Sequence, residues 1–149
     1  MVRLIDSYTE TSEVVMPDAT NNLGRALGGW VLHRMDLGGV VAARRFARSQ
    51  VVTASIERVD FHAPIDLGDI AVLTAYVYDT GETSMQVRVD VTAERPSEGV
   101  ERETASSHLT FVAIDGEESV QPVPELTVET DEERRLREAA MDAESSPVP

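Results

Sequence analysis

The sequence of 149 residues contains no cysteine and no lysine. Without cysteine, the chain can form neither a disulfide framework nor a zinc site with thiolate ligands. Its 13 arginines face 27 acidic residues, and the net charge of −14 argues against general nucleic-acid binding, which needs a basic surface. No apolar run is long enough to cross a membrane and no signal-peptide pattern opens the chain, so we expect a cytoplasmic protein.

The same imbalance of charge suggests where the protein works. A surface rich in carboxylates and free of lysine favours a salt-adapted host, because excess carboxylates keep a protein hydrated at high salt. An ordinary acidic cytoplasmic protein is the alternative. Melting temperatures measured in molar KCl distinguish the two.

The strongest structural signal is a turn at residues 18–24 that leads into a helix over about residues 26–47. One sector of this helix is apolar, and it contains Val31, Leu32, Met35, Gly39, Val40, Ala42, Ala43 and Phe46. Asp36 falls in that sector, where a carboxylate must be paired, hydrogen-bonded or catalytic because an uncompensated buried charge is costly. Gly28 and Gly29 are poor helix formers, which suggests that another group closely approaches the backbone there.

Strand patterns lie on both sides of the helix. The predicted strands are residues 7–16, 50–61, 70–79, 84–92 and 103–114. The segment 70–79 is almost continuously apolar, so we expect both of its faces to be covered. A short charged helix over 131–141, exposed to solvent, and disorder over 144–149 are expected near the C-terminus. This order predicts an α+β protein with an antiparallel sheet of about five strands wrapped around one long helix.

Several short motifs follow one another along the chain. They are PDATNNLG at 17–24, GG at 28–29, MD at 35–36, VT at 52–53, FHAPIDLGD at 61–69, GETS at 81–84 and TFVAID at 110–115. Together they resemble the hotdog-fold acyl-CoA thioesterases, in the branch of the bacterial short-chain acyl-CoA thioesterases and brain-type acyl-CoA hydrolases. The resemblance runs from about residue 8 to 126. We therefore expect a hotdog domain over 1–126, followed by an acidic tail over 127–149. The sequence departs from the family pattern at Leu27, where the family usually has an aromatic residue or histidine.

This resemblance implies hydrolysis of an acyl-CoA to a free acid and CoA without a metal or a cofactor. It implies Asp36 as general base or nucleophile, assisted by Asn21 from a partner subunit. The homodimer would therefore share its active sites, and we expect three dimers to assemble into a hexamer, without nucleic-acid or membrane partners.

Other polar groups complete the expected site. The free amides of Gly28 and Gly29 at the helix start are candidate oxyanion donors. Candidate substrate and CoA contacts are the hydroxyls of Thr53, Thr83 and Ser84 and the guanidinium groups of Arg58 and Arg88, with Arg44 and Arg45 as further candidates for the CoA phosphates.

Each of these residues also has an ordinary structural interpretation. Asn21 suits a helix cap, Asp36 suits a structural carboxylate, and the arginines suit surface ion pairs. For the whole protein, a non-catalytic acyl-CoA sensor and an acyl-thioester hydratase remain as alternatives.

Overall fold

The computed structural model describes residues 1–145. The helices are Leu4–Ser7 (α1), Gly28–Ala47 (α2) and Asp131–Ser145 (α3), with short 3₁₀ turns at Pro17–Ala19 and Pro96–Glu98. The strands are Val2–Arg3 (β1), Thr9–Val14 (β2), Gln50–Phe61 (β3), Ile70–Thr80 (β4), Ser84–Arg95 (β5), Val100–Ile114 (β6) and Leu126–Thr127 (β7). No helix among these residues combines the length and apolar character needed to cross a bilayer.

Five strands form one antiparallel sheet in the order β2-β4-β5-β6-β3, so β2 and β3 are its edges. The helix α2 packs along one face of this sheet, which confirms the predicted α+β hotdog architecture. The pair β1 and β7, which runs parallel, was not predicted. Two-residue strands carry no periodicity, so only long-range pairing reveals them.

The core lies between α2 and the inner face of the sheet. The buried residues of α2 include Val31, Met35, Ala42, Ala43 and Phe46. Gly38 and Gly39 let the helix approach the strands closely. A Cβ atom built on Gly39 would stand 2.9 Å from the Phe111 ring, so a larger residue there would push α2 off the sheet.

The close approach expected at Gly28 and Gly29 is not found there. A Cβ atom on Gly28 would make an ordinary contact of 3.6 Å with Phe61, and one on Gly29 would meet nothing within 4 Å among the described residues. Within α2, close contact with the strands requires glycine at positions 38 and 39 instead.

The outer face of the sheet is covered by α3, which confirms that both faces of β4 are buried. Tyr76 and Tyr78 of β4 pack with Leu4 and Ala140 in a second apolar cluster. The Tyr76 Oη donates a hydrogen bond of 2.6 Å to the Leu136 carbonyl. The prediction of a solvent-exposed helix was therefore wrong for this face of α3.

The helix α3 also runs further than predicted. It ends at Ser145, so residues 144 and 145, expected to be disordered, lie in its last turn. Residues 146–149 lie outside the described part of the chain. The strand predicted over 7–16 is shorter in the structure, where β2 begins at Thr9 because Leu4–Ser7 forms a helical turn.

Glu133 anchors the beginning of α3. Its side chain is fully buried and forms an ion pair of 2.8 Å with Arg3. It accepts further hydrogen bonds from the backbone amides of Ile5, Glu129 and Thr130. These donors outweigh burial and hold the pKa of Glu133 at about 2. The Thr130 hydroxyl in turn accepts from the Glu133 amide at 3.1 Å, which completes a capping box.

Candidate active site

Asp36 lies on α2 beside the edge strand β3. The Thr53 hydroxyl of β3 donates a hydrogen bond of 2.8 Å to Asp36 Oδ1. The Asp36 side chain is half-buried, rather than in the fully apolar sector that the sequence predicted. Its second oxygen, Oδ2, has no hydrogen-bond partner within residues 1–145. One carboxylate oxygen is therefore fixed, and the other is available to a water molecule or a substrate.

The N-terminal end of α2 presents unused backbone donors. Leu27 is the N-cap residue and offers no side-chain acceptor, and the first turn contains no acidic residue. The amides of Gly28, Gly29 and Trp30 accordingly have no acceptor in the described part of the chain, as expected for a first turn. Since the helix dipole also favours negative charge at this end, the amides can stabilise an oxyanion.

Asn21 lies in the turn before α2. Its Oδ1 accepts hydrogen bonds from the amides of Leu23 at 2.9 Å and Arg25 at 3.2 Å. The carbonyl oxygen of the side chain thus has the structural role of fixing the turn. The Nδ2 group has no acceptor within residues 1–145, so it can donate to another molecule.

A cavity of about 400 Å³ opens beside this turn. Asn21 and Gly28 line it together with the apolar side chains of Phe61, Ile65 and Ala105. A cavity lined by apolar side chains and by free donors suits an acyl group and its carbonyl.

Asn21 and Gly28 do not meet Asp36 within one chain. Gly28 and Asp36 are eight residues apart on α2, which corresponds to about 12 Å along the helix axis. A thioester carbonyl cannot contact both groups at that separation. Within a single chain, the predicted catalytic residues therefore form two half-sites at different levels of α2.

The other predicted contacts lie elsewhere. Thr83 and Ser84 lie at the turn between β4 and β5, where Ser84 belongs to the same row as Val112 of β6 and Val52 of β3. Two strand spacings separate Ser84 from β3, which is about 10 Å. Of the three predicted hydroxyl groups, the structure brings only Thr53 to Asp36.

Arg58 and Arg88 lie on the outer face of the sheet. Arg58 forms an ion pair of 3.1 Å with Asp60 and donates to the Ala143 carbonyl of α3. Arg88 grips both carboxylate oxygens of Asp90 at 2.8 and 3.1 Å. The structure therefore does not bring either arginine together with Asp36, because their side chains alternate away from α2.

The three histidines lie apart from one another, and residues 1–145 contain no group of three or more His, Asp or Glu side chains that could hold a metal ion. His62 contacts the Ser106 hydroxyl at 3.1 Å on the outer face. His108 lies beneath α3, where burial lowers its pKa and the Ala140 carbonyl is 3.1 Å away.

Beside Asp36, the outer edge of β3 is unpaired within residues 1–145. Val52, Ile56 and Phe61 on this strand are 45%, 39% and 56% exposed. A long edge strand with exposed apolar side chains is a surface for pairing with another chain. The free edge lies next to the hydrogen-bonded Asp36 and Thr53, and its last residue, Phe61, lines the cavity.

Comparison with known proteins identifies the family. Residues 23–100 match the family model of the thioesterase superfamily. A Bacillus subtilis protein named an uncharacterized acyl-CoA thioester hydrolase, YkhA, is 39% identical over 127 residues, which are 85% of this chain and 74% of that protein.

Solved structures give the same result. The acyl-CoA hydrolase of Staphylococcus aureus, in complex with butyryl coenzyme A, is 33% identical with a TM-score of 0.87, over 95% of this chain and 86% of that one. A hexameric acyl-CoA thioesterase is 38% identical with a TM-score of 0.88, over 96% of this chain and 92% of that one. The predicted resemblance is confirmed, and the chain belongs to the thioesterase superfamily.

Proposed function

We propose that this protein hydrolyses acyl-CoA thioesters to a carboxylic acid and free CoA, with Asp36 as general base or nucleophile. The observation that carries the proposal is the Asp36 carboxylate, with Oδ1 held at 2.8 Å by Thr53 and Oδ2 open. The relatives named as acyl-CoA hydrolases support the substrate class.

The chemistry needs few groups. As a general base, Asp36 removes a proton from a water molecule, which attacks the carbonyl carbon of the thioester. As a nucleophile, it attacks that carbon itself and forms an anhydride, which water then cleaves. In both routes the C–S bond breaks and CoA leaves as a thiolate. A thiol with an ordinary pKa near 8.5 is a good leaving group, so the site needs no strong general acid.

Two identical chains would complete each site. The two half-sites are about 12 Å apart within one chain, and the free edge of β3 lies beside one of them. Pairing two β3 edges about a two-fold axis would set Asp36 of one subunit opposite Asn21 and Gly28 of the other. Two hexameric structural relatives support further assembly of dimers into a hexamer.

The Staphylococcus aureus hydrolase supports the choice of residues. Structures of that enzyme include alanine variants of one asparagine, one aspartate and one threonine. The intervals between the three replaced positions equal the intervals between Asn21, Asp36 and Thr53. Equal spacing within the same fold favours equivalent positions for the three side chains.

Release of free CoA from a series of acyl-CoAs, short to long, tests the proposed reaction. Wild type should turn over part of the series, while Asp36→Ala should lose about 1,000-fold or more in kcat and still bind CoA in calorimetry. Glu10→Gln, which alters an exposed carboxylate on β2, is the matched control. Tight acyl-CoA binding without turnover by wild type would indicate a sensor, and neither binding nor turnover would limit the resemblance to the fold.

Mixing two inactive variants tests the shared site. Asp36→Ala and Asn21→Ala chains, unfolded and refolded together at equal amounts, form heterodimers in which one of the two sites is intact. If the site spans two subunits, about a quarter of all sites recover activity. If both residues act within one chain, the mixture remains as inactive as its components.

A further inference from the structure

A group of three arginines lies at the C-terminal end of α2. Arg44, Arg45 and Arg48, here called the α2 arginine cluster, border an open cavity of about 590 Å³. Ser49 and Gln50 add polar groups to its wall, and no acidic residue lines it. The cavity is therefore a concave, positively charged surface on a protein whose net charge is −14.

The cluster differs from most of the other arginines in its pairing. Eight of the 13 arginines form ion pairs with carboxylates. Within residues 1–145, no member of the cluster has a carboxylate at ion-pair distance. All three side chains are exposed, and Arg45 is anchored because it donates to the Tyr8 carbonyl and the Thr9 hydroxyl, each at 3.2 Å. A chain with twice as many acidic as basic residues leaves this positive surface uncompensated.

The backbone at Arg48 is a second, independent observation. Arg48 caps α2 in the left-handed conformation, with φ of 56° and ψ of 36°. Glycine or asparagine is strongly preferred at such a position because a side chain is strained there. An arginine at this strained cap adds a third positive charge to the wall of the cavity.

The cluster lies at a definite distance from Asp36. Asp36, Val40, Arg44 and Arg48 follow one another at intervals of four residues along one ridge of α2. At 1.5 Å per residue, Arg44 and Arg48 lie about 12 and 18 Å from Asp36 along the axis. The pantetheine arm of CoA has a backbone of two amides and a few carbons between sulfur and pyrophosphate, which spans about 15 Å when extended.

We infer that the α2 arginine cluster binds the phosphate groups of CoA when the thioester carbonyl lies at Asp36. This inference rests on the proposed function. The planar guanidinium groups of Arg44 and Arg48 donate paired hydrogen bonds to phosphate oxygens, and Arg45 adds positive charge from its fixed position. The pantetheine arm runs along this ridge of α2, over the half-buried Val40, from the carboxylate to the cluster.

Two substrates that differ only in their phosphates test this inference. The double variant Arg44→Ala, Arg48→Gly should raise KM for a hydrolysed acyl-CoA about ten-fold or more with kcat unchanged. Its kcat/KM for the matching S-acyl-pantetheine, which lacks phosphates, should equal that of wild type. The glycine at 48 suits the left-handed cap, so the variant should melt no lower than wild type.

Arg135→Ala is the matched control, because it removes an exposed positive charge on the far side of the sheet. An equal rise of KM in this control, an unchanged KM in the double variant, or an equal loss with both substrates would overturn the inference. Calorimetry with adenosine 3′,5′-bisphosphate gives a readout independent of turnover. Wild type should bind it and the double variant should not, and this result stands even if wild type hydrolyses no thioester.

Discussion

The two sides of the sheet differ in how completely they bury and hydrogen-bond a carboxylate. On the α3 side, Glu133 is fully buried and is held by a guanidinium group, three backbone amides and a hydroxyl. On the α2 side, Asp36 is half-buried and is held by the single hydroxyl of Thr53. A buried charge is tolerated only when its hydrogen bonds are complete, so Glu133 belongs to the architecture and Asp36 remains available for chemistry.

The same difference extends beyond the two carboxylates. The outer face is completed by its own chain, since α3 supplies a partner for the Tyr76 and Tyr78 hydroxyls. The inner side leaves the β3 edge, the first amides of α2 and one group of the Asn21 amide without partners in residues 1–145. This incomplete pairing is why we propose that a second chain and a substrate bind at this surface.

A charge introduced on the free edge of β3 should prevent dimerisation and cause the largest loss of activity. In an Ile56→Glu variant, like charges would meet across the two-fold axis, so we expect a monomer with activity reduced more than 100-fold. Light scattering and CoA release measure the two effects. Val120→Glu, at an exposed apolar residue away from the edge, is the control. An oligomeric and fully active Ile56→Glu variant would show that β3 is not the interface.

Removing the hydrogen-bonded carboxylate on the α3 side should reduce stability rather than activity. Glu133→Ala leaves Arg3 and the backbone amides of Ile5, Glu129 and Thr130 without this acceptor, and we expect the free energy of unfolding to fall by about 3 kcal/mol. Denaturant titration measures the change. Below its melting temperature the variant should keep near wild-type kcat, since Glu133 lies on the other face of the sheet from Asp36. A large loss of kcat in the folded variant would contradict this separation.

Low pH should also reduce stability through Glu133, on the α3 side. The pKa of Glu133 is lowered from 4.5 to about 2 in the folded protein. A depressed pKa contributes stability that is complete above the unfolded value and is lost as the pH falls from about 4.5 toward 2. The difference in unfolding free energy between wild type and Glu133→Gln should therefore shrink over this window. A difference that stays constant with pH would contradict the prediction.

Removing the Thr53 hydroxyl on the α2 side should have a smaller effect on activity. Thr53→Ala removes the one hydrogen bond that fixes Asp36 Oδ1, and we expect kcat to fall about ten-fold. Thr53→Ser keeps the hydroxyl and should retain most of the activity, while both variants should fold as wild type. If serine fails to rescue the alanine variant, the role of Thr53 is packing rather than hydrogen bonding.

Salt should have the smallest effect and should act only on exposed charge. We expect molar KCl to raise the melting temperature by a few degrees, because ions screen the repulsion among surface carboxylates. Glu133→Gln should show the same rise as wild type, since that residue is buried. A melting temperature that does not rise would count against a salt-adapted host.

The local pattern was a good guide where a segment's own periodicity decides its structure. The strand 50–61 was predicted with its observed bounds, and the helix α2 began only two residues later than expected. The helix α3 was also predicted, but the sequence signal that it packs on the sheet was missed. Thr130 and Glu133 have the spacing of a capping box, and Leu136, Ala140 and Ala143 continue the face that packs on the sheet.

The sequence by itself determined the elements and the motif residues Asn21, Asp36 and Thr53, because periodicity and turn chemistry are local properties. Only the tertiary structure decided what those residues touch. It joined Thr53 to Asp36 across 17 residues of sequence, kept Asn21 away from both, and paired Arg58 and Arg88 on the opposite face. Strand order and side-chain contacts arise from long-range packing, in which many weak interactions must be satisfied together, and no single segment carries that information.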